Sequence, residues 1–211
     1  MTPADDASLL TLTGTVALND RLFTNFFDVA SRTATATSAE ERVTSSTLNA
    51  QGALASISVP NITPSIFAYD TRGRLSGVTQ GARAVTFGHN NLNELTSVTD
   101  PLQRTVSFTH DSAGRITSQT LPDGRVITFG YDANGNMTSI TPPSRPTHDF
   151  EMSPVDLVTK YNPPVVSGAG ATQYAYNRDK QLTSVIRPDG STIALGYDAA
   201  GRPASMTMGK G

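Results

Sequence analysis

The chain has 211 residues, a formal net charge of −2, 16% charged residues, and neither Cys nor Trp. A balance so near neutral lacks the surplus of Lys and Arg that an electrostatic nucleic-acid surface needs, so no nucleic-acid partner is expected. The absence of Cys excludes disulfides, thiolate nucleophiles and Cys-based zinc sites.

No apolar run approaches the roughly 20 residues that span a bilayer, so no membrane insertion is expected. Met1 to Leu12 has neither the basic nor the long apolar region of a signal peptide, and an export signal is expected outside this chain. Ser and Thr together number 49, with 17 Gly and 13 Pro. Helix formers are correspondingly scarce. Thr, Val, Ile, Phe and Tyr favour strands, while Gly, Pro, Asn and Asp favour turns. The expectation is an all-β chain of many short strands.

In chain order, residues 1–26 have patchy apolar content and no clear repeat motif, and read as a degenerate repeat or a frayed end. A repeat then begins. Its anchor residues are Phe27, Leu48, Tyr69, His89, His110, Tyr131, Met152, Tyr176 and Tyr197, spaced 21, 21, 20, 21, 21, 21, 24 and 21 apart. The clearest copies are Tyr69-Asp70-Thr71-Arg72-Gly73-Arg74-Leu75, His110-Asp111-Ser112-Ala113-Gly114-Arg115-Ile116, Tyr131-Asp132-Ala133-Asn134-Gly135-Asn136-Met137 and Tyr197-Asp198-Ala199-Ala200-Gly201-Arg202-Pro203. Those at Phe27, Leu48, His89 and Tyr176 are weaker, and the one at Met152 is degenerate. Eleven of the 14 aromatic residues lie at an anchor or two before one, and Phe150 marks the Met152 copy by that rule.

One period parses physically as a hairpin. Arg115 to Leu121 is strand-like, Pro122-Asp123-Gly124 turns, Arg125 to Tyr131 is a second strand, and Asp132 to Gly135 turns again. Both turns have the chemistry of a type I turn followed by a Gly in the left-handed region. The turn glycines are Gly73, Gly114, Gly124, Gly135, Gly190 and Gly201. Side chains alternate along a strand, so Ile127, Phe129 and Tyr131 share a face. The apolar residue six past each anchor, such as Leu75, Ile116 or Leu182, falls on the adjoining strand beside that ladder. A lone period buries too little to fold, so the hairpins must stack cooperatively.

Residues 27–211 thus form one array, with a Pro-rich interruption at 141–170 that includes Thr141 to Pro146, Asn162-Pro163-Pro164 and Gly168-Ala169-Gly170. Proline cannot donate in a ladder, so bulges or loops are expected there. Gly211 falls mid-period and reads as a cut through an array. Nine hairpins give about 18 strands, roughly 85 Å across at about 4.8 Å per strand, and sheets of that width curl. Open first and last strands would invite self-association.

The run Tyr-Asp-x-x-Gly-Arg-Leu followed by Thr-x-Pro-Asp-Gly resembles the Rhs/YD repeat family over roughly Phe27 to Gly211. The best-matching stretches are Tyr69 to Leu75, His110 to Gly124, Tyr131 to Met137, Tyr176 to Gly190 and Tyr197 to Arg202. Members of that family include bacterial polymorphic toxins, insecticidal toxin-complex components, wall-associated proteins and teneurins. The resemblance implies an antiparallel hairpin meander forming a curved, spiralling β-sheet, the arc of a hollow shell. In the toxins the shell encloses a C-terminal toxin domain, and several members cleave themselves at an aspartyl site. Asp100-Pro101-Leu102-Gln103 has the Asp-Pro start of such a site without its Gly-rich continuation, so self-cleavage does not transfer.

Other candidate chemistry is thin. His89 and His110 read as flat rings replacing an anchor Tyr rather than a metal pair, and His148 has no partner that sequence identifies. Asp132 to Asn136 superficially resembles a calcium loop, but Gly135 is fourth rather than sixth and Pro143 stands where the twelfth-position Glu should be. No Gly-x-Ser-x-Gly elbow occurs. Arg74, Arg115, Arg125 and Arg202 are expected to pair with neighbouring turn Asp residues or stay solvated. Asn61-Ile62-Thr63 and Asn136-Met137-Thr138 fit glycosylation sequons.

The reading is a non-enzymatic structural segment with no catalytic residue, cofactor or metal. It walls a shell that encloses or presents a toxin or effector domain of a large secreted or cell-surface bacterial protein. Its partners would be other repeats of the shell or the enclosed domain. The alternative is a carbohydrate-binding or cell-surface adhesion module. An autoproteolytic enzyme is a third reading, which would leave a shortened product.

Overall fold

A computed structural model describes residues 10–164 and 170–210. All regular structure in them is β-strand, in nineteen segments. The chain divides into two compact units, 1–105 and 106–211. In the first lie β1 (Thr11–Leu18), β2 (Arg21–Asp28), β3 (Thr33–Thr37), β4 (Val43–Leu48), β5 (Leu54–Val59), β6 (Ile62–Tyr69), β7 (Leu75–Gln80), β8 (Arg83–His89) and β9 (Leu95–Thr99). The second holds β10 (Thr105–His110), whose first residue ends the first unit, β11 (Ile116–Thr120), β12 (Val126–Tyr131), β13 (Met137–Thr141) and β14 (His148–Met152). It continues with β15 (Val158–Asn162), β16 (Thr172–Tyr176), β17 (Leu182–Ile186), β18 (Thr192–Tyr197) and β19 (Pro203–Gly209).

Within each unit every strand pairs antiparallel with its chain neighbours and packs on no other strand. The antiparallel meander of YD hairpins is therefore the fold. Residues 11–18 and 21–28, where no motif was legible, make a fully paired hairpin around Asn19-Asp20. Both turn residues have positive φ (50° and 60°), the signature of the tight turn whose twist suits a hairpin.

Among the described residues no apolar side chain is fully buried. Each strand instead half-covers one row of side chains with those of its two neighbours. Phe129 lies opposite Ile140, Phe67 opposite Val78, Phe87 opposite Val98 and Tyr174 opposite Val185. Pairs of an aromatic with a β-branched residue contribute roughly 0.2–1 kcal/mol each. They recur along both units, but the ladder and its turns must carry the rest.

The repeat has one irregularity that spacing alone did not reveal. From Leu48 onward, every anchor sits at a register shift. Tyr69 pairs with Leu75, His89 with Leu95, His110 with Ile116, Tyr131 with Met137, Met152 with Val158, Tyr176 with Leu182 and Tyr197 with Pro203. The residue before each anchor pairs with one nine further on, so one extra residue is inserted per hairpin on the same side. Such bulges raise local twist and bend the strand that carries them. Phe27 differs, facing Ala34 in unbroken register.

Twelve loops share a single five-residue backbone. The first residue's N–H donates to the fifth residue's carbonyl, and the fourth residue's N–H donates back to the first residue's carbonyl. The fourth residue has positive φ in every case: Gly in seven, but Glu41, Asn93, Gln103, Asp156 and Lys180 in the others. The weaker copies thus keep the loop geometry while losing the glycine that announces it. The Pro-rich Pro142 to Thr147 segment is one longer loop between β13 and β14, which still pair through Ser139–Asp149 and Ile140–His148.

This geometry sets opposite expectations for two substitutions in the same unit. Gly135, at φ 94°, becomes strained as Val, and Gly135→Val should lower unfolding stability by about 1–2 kcal/mol. Lys180 already bears that strain at φ 62°, and Lys180→Gly should raise stability by several tenths up to about 1 kcal/mol after the entropic cost of glycine. Urea unfolding of both variants reads the signs directly.

Candidate functional site

The anchor, the turn and the residue after it form one connected network along the loop edge of each unit. In ten of the twelve loops the first residue is Ser, Asn or Asp, and its side-chain oxygen accepts the backbone N–H of the fifth residue; in nine of them it also accepts that of the third. Asp111 Oδ1 takes Ala113 N at 2.9 Å and Arg115 N at 3.0 Å; Asn177 Oδ1 takes Asp179 N at 3.0 Å and Gln181 N at 2.9 Å; Ser153 Oγ takes Val155 N at 3.3 Å and Leu157 N at 3.1 Å. These bonds satisfy loop donors that no strand can reach.

The second side-chain atom of the first residue is matched to the fifth residue. Arg115 Nε donates to Asp111 Oδ2 at 2.7 Å, and the pattern repeats for Arg74 with Asp70 and Arg202 with Asp198. Where Asn replaces Asp, the partner changes with it. Asn90 Nδ2 donates to Glu94 Oε2 at 2.6 Å, and Asn177 Nδ2 donates to Gln181 Oε1 at 2.7 Å. Donor and acceptor have exchanged ends and the bracket survives. The turn arginines therefore pair with the Asp of their own turn rather than with neighbouring turns, because the five-residue loop folds its first and last residues together. Arg125 pairs likewise with Asp123, two residues before it.

The fifth residue also reaches the next hairpin. Arg74 Nη1 donates to Asn90 O at 2.6 Å, Arg115 Nη1 to Asp132 O at 2.9 Å, and Gln181 Nε2 to Gly201 O at 2.8 Å. Arg115 additionally lies 4.7 Å from the centre of the Tyr131 ring. The anchor hydroxyl points the other way. Tyr69 Oη donates to Leu54 O at 2.8 Å, Tyr131 Oη to Ile116 O at 3.0 Å, Tyr176 Oη to Val158 O at 2.9 Å and Tyr197 Oη to Leu182 O at 2.9 Å. Each acceptor lies beyond the last backbone pair between the anchor's strand and the strand before it, so the Tyr closes the seam where the ladder stops.

The charge states follow from these bonds. Hydrogen bonding from Arg115, side chain first and then backbone, holds Asp111 below its ordinary 3.8. Asp70 and Asp198 are lowered chiefly by the backbone N–H of Arg74 and Arg202, and Asp132 by the Asn136 side chain. Burial raises the Tyr176 phenol.

A second feature stands on the anchor face of the second unit. An open pocket of about 680 Å³ is lined by Pro142, His148, Phe150, Tyr161, Tyr174 and Tyr176 among others, with no Asp, Glu, Lys or Arg. His148 Nδ1 and Tyr161 Oη are hydrogen-bonded at 2.6 Å, and their rings stack 5.9 Å apart at 12°. The Phe150 ring also stacks with that of Tyr161, 5.4 Å away at 29°. His148 thus has the partner that sequence did not identify. The signal was present as a departure from the repeat. Four before the anchor four other periods have Val85, Val106, Ile127 and Ile193, and nine past it Val78, Val98, Ile140 and Val185 recur; Thr44, Ser65, Thr172 and Gln119 depart singly, whereas here both positions change together, to His148 and Tyr161.

His89 and His110 occupy their strand ends facing Leu95 and Ile116. Among the described residues no group of three or more His, Asp or Glu is placed to hold a metal ion. Asp132 is engaged by Asn136 through both its oxygens, inside its own turn.

Over residues 4–211 the sequence matches the family description Teneurin YD-shell. Similar solved structures are the TcdB2-TccC3 complex (TM-score 0.65, 14% identity), the TcdB2-TccC3-Cdc42 complex (0.65, 14%) and the Photorhabdus luminescens Tc holotoxin pore (0.63, 13%). These cover 94–95% of this chain, which spans 14% of the length of theirs. At that identity the likeness is one of fold. No curated protein matches the sequence.

Two outcomes test the network. Tyr131→Phe keeps the ring beneath Arg115 and removes one hydrogen bond, and should cost about 1 kcal/mol; Tyr131→Leu should cost a further 0.5–1 kcal/mol, roughly, through the lost ring–cation contact. For acid, the turn Asp groups have folded pKa values below the unfolded one, so the unfolded chain binds more protons between the two. Their contribution is complete above pH 3.8 and is lost as pH falls through the lower folded values. The urea midpoint should therefore be flat near neutrality and fall below about pH 4. Asp111→Asn alone leaves Arg115 mismatched and should lower the midpoint at pH 7. Asp111→Asn with Arg115→Gln reproduces the Asn177–Gln181 bracket and should restore most of it while shrinking the acid-dependent part.

Proposed function

The chain belongs to the teneurin YD-shell family, and we propose that it serves as a stretch of shell wall that encloses or presents a toxin or effector domain elsewhere in a large secreted or cell-surface protein. A structural shell role is the family's. The enclosed domain, the extracellular setting and a non-enzymatic chain go beyond that role and are supported by the resemblance of the YD motifs to toxin shells. The organisation carried with it is a degenerate repeat or frayed N-terminal segment over 1–26 followed by one array over 27–211, interrupted at 141–170. The aromatic anchors and turn residues then act by making the wall.

The observation that carries this reading is the directional stitching between hairpins. Arg115 and Gln181 reach forward to the following YD turn, while Tyr131 and Tyr197 reach back to the first residue of the strand that leaves the preceding YD turn. Side chains spent on such seams are not free to act on a substrate. What they produce is a sheet extended one hairpin at a time, with each hairpin held by both neighbours.

The test uses the whole polypeptide that carries this segment. Limited proteolysis of the intact protein should leave a protected region outside the repeats. That protection should vanish when seam residues are removed together by Tyr131→Leu and Tyr197→Leu. Equal digestion of all regions before and after the substitutions would overturn the enclosure.

A further inference from the structure

We infer that the pocket on the anchor face of the second unit is a docking site for a proline-rich peptide segment in the extended polyproline conformation, with the rings of Tyr161 and His148 as its platform. The inference goes beyond the shell reading, since a uniform wall needs no change of pattern here. Three departures fall in one period. The anchor loses its ring at Met152, a ring appears at Tyr161 nine residues later, and an imidazole appears at His148, the last two at positions where several periods hold Val or Ile. The register brings these two together across β14 and β15, bonded at 2.6 Å.

The lining selects the partner. It contains no Asp, Glu, Lys or Arg, and every residue in it is half-exposed, so it suits an uncharged ligand laid over the surface rather than one enclosed. Tyr161 lies at 12° to His148 and 29° to Phe150, and near-parallel rings of this kind offer flat faces to a proline ring, whereas a cation needs rings around it. Pro142 of the chain itself already stands in the same lining. Hydrogen-bonding capacity narrows the class further. The Tyr176 hydroxyl is committed to Val158 O and the Tyr161 hydroxyl to His148, which leaves the Tyr174 hydroxyl and the second nitrogen of His148 to meet a ligand. When Tyr161 donates to His148 Nδ1, the imidazole proton stands on Nε2, so both remaining groups can donate. A proline segment carries carbonyl acceptors and no backbone N–H, which is the matching set. An alkyl chain would instead cover both donors and leave them without partners. A polyproline helix is also ordered before it binds, so a shallow, open site need not supply the ordering entropy that a flexible peptide demands. The volume of about 680 Å³ lies in the range of ligand pockets.

The experiment is calorimetric titration of the full chain with decaproline, with a Gly-Ser decapeptide of equal length and with cellohexaose. Decaproline should bind saturably with a dissociation constant of about 1 mM or tighter, and the Gly-Ser peptide about tenfold more weakly or not at all. His148→Val with Tyr161→Val installs residues that other periods carry at these positions, and should weaken decaproline binding about tenfold or more with the urea midpoint maintained. Should that variant unfold, Tyr174→Phe keeps the ring and removes one donor, and should weaken binding severalfold. No saturable binding of decaproline, equal binding of the Gly-Ser peptide, undiminished binding by the variant read, or binding of cellohexaose alone would overturn the site.

Discussion

Where no apolar side chain among the described residues is fully buried, the fold cannot rely on a core, and the hydrogen bonds that reverse the chain at each strand end govern everything else. An unpaired backbone donor costs about as much as a lost hydrogen bond wherever water cannot reach it, and every hairpin must dispose of several. The five-residue loop does so with one side chain. Asp111, Asn177 and Ser153 differ in charge and length, yet each accepts the N–H groups of the third and fifth loop residues. The requirement is for a short side chain ending in an acceptor. Asp is the common solution because its second oxygen is left to fix the residue at the loop's far end.

From that constraint the rest of the motif follows in order. A fixed fifth residue aims its remaining donors at the following turn, as Arg115 does toward Asp132 O. The register shift at the anchor lets the Tyr131 hydroxyl meet Ile116 O, where backbone pairing between hairpins has ended. Tyr, Asp, Gly and Arg are thus four parts of one joint. The arginines pair within their turns at modest exposure, with side chains 21% and 29% accessible for Arg74 and Arg115 against 78% for Arg202. Pairs as open as the last contribute little as charges. Their value lies in geometry, since the neutral Asn177–Gln181 bracket does the same work.

Much of this was legible in the residues. The period, the hairpin and the antiparallel meander follow from aromatic spacing and turn chemistry alone. The register shift did not, because a bulge leaves the period unchanged and alters only which residue faces which: Tyr131 opposite Met137 rather than its regular partner. The first hairpin was obscured for a different reason. Asn19-Asp20 closes it with two residues at positive φ and no glycine, so the turn lacks the mark by which the repeat was read. Lys180 and Gln103 hide their turns in the same way. The arginines pair with nearby turn Asp residues as their spacing suggested, and the five-residue loop adds the reason, since it folds its first and last residues together.

The His148–Tyr161 pair was hidden by the same regularity that revealed the fold. Reading for a repeat treats each deviation as decay, and Met152 looked like the worst copy. Yet decay scatters, whereas here the lost anchor ring, the gained ring and the imidazole all fall within one period and two of them touch. The strands of that period keep their places, β14 pairing with β13 and with β15. A wall whose stability is distributed along its seams can give up one period's apolar pattern without losing its neighbours, since each hairpin is held from both sides. That tolerance is what permits a surface feature of different chemistry to be set into an otherwise uniform sheet.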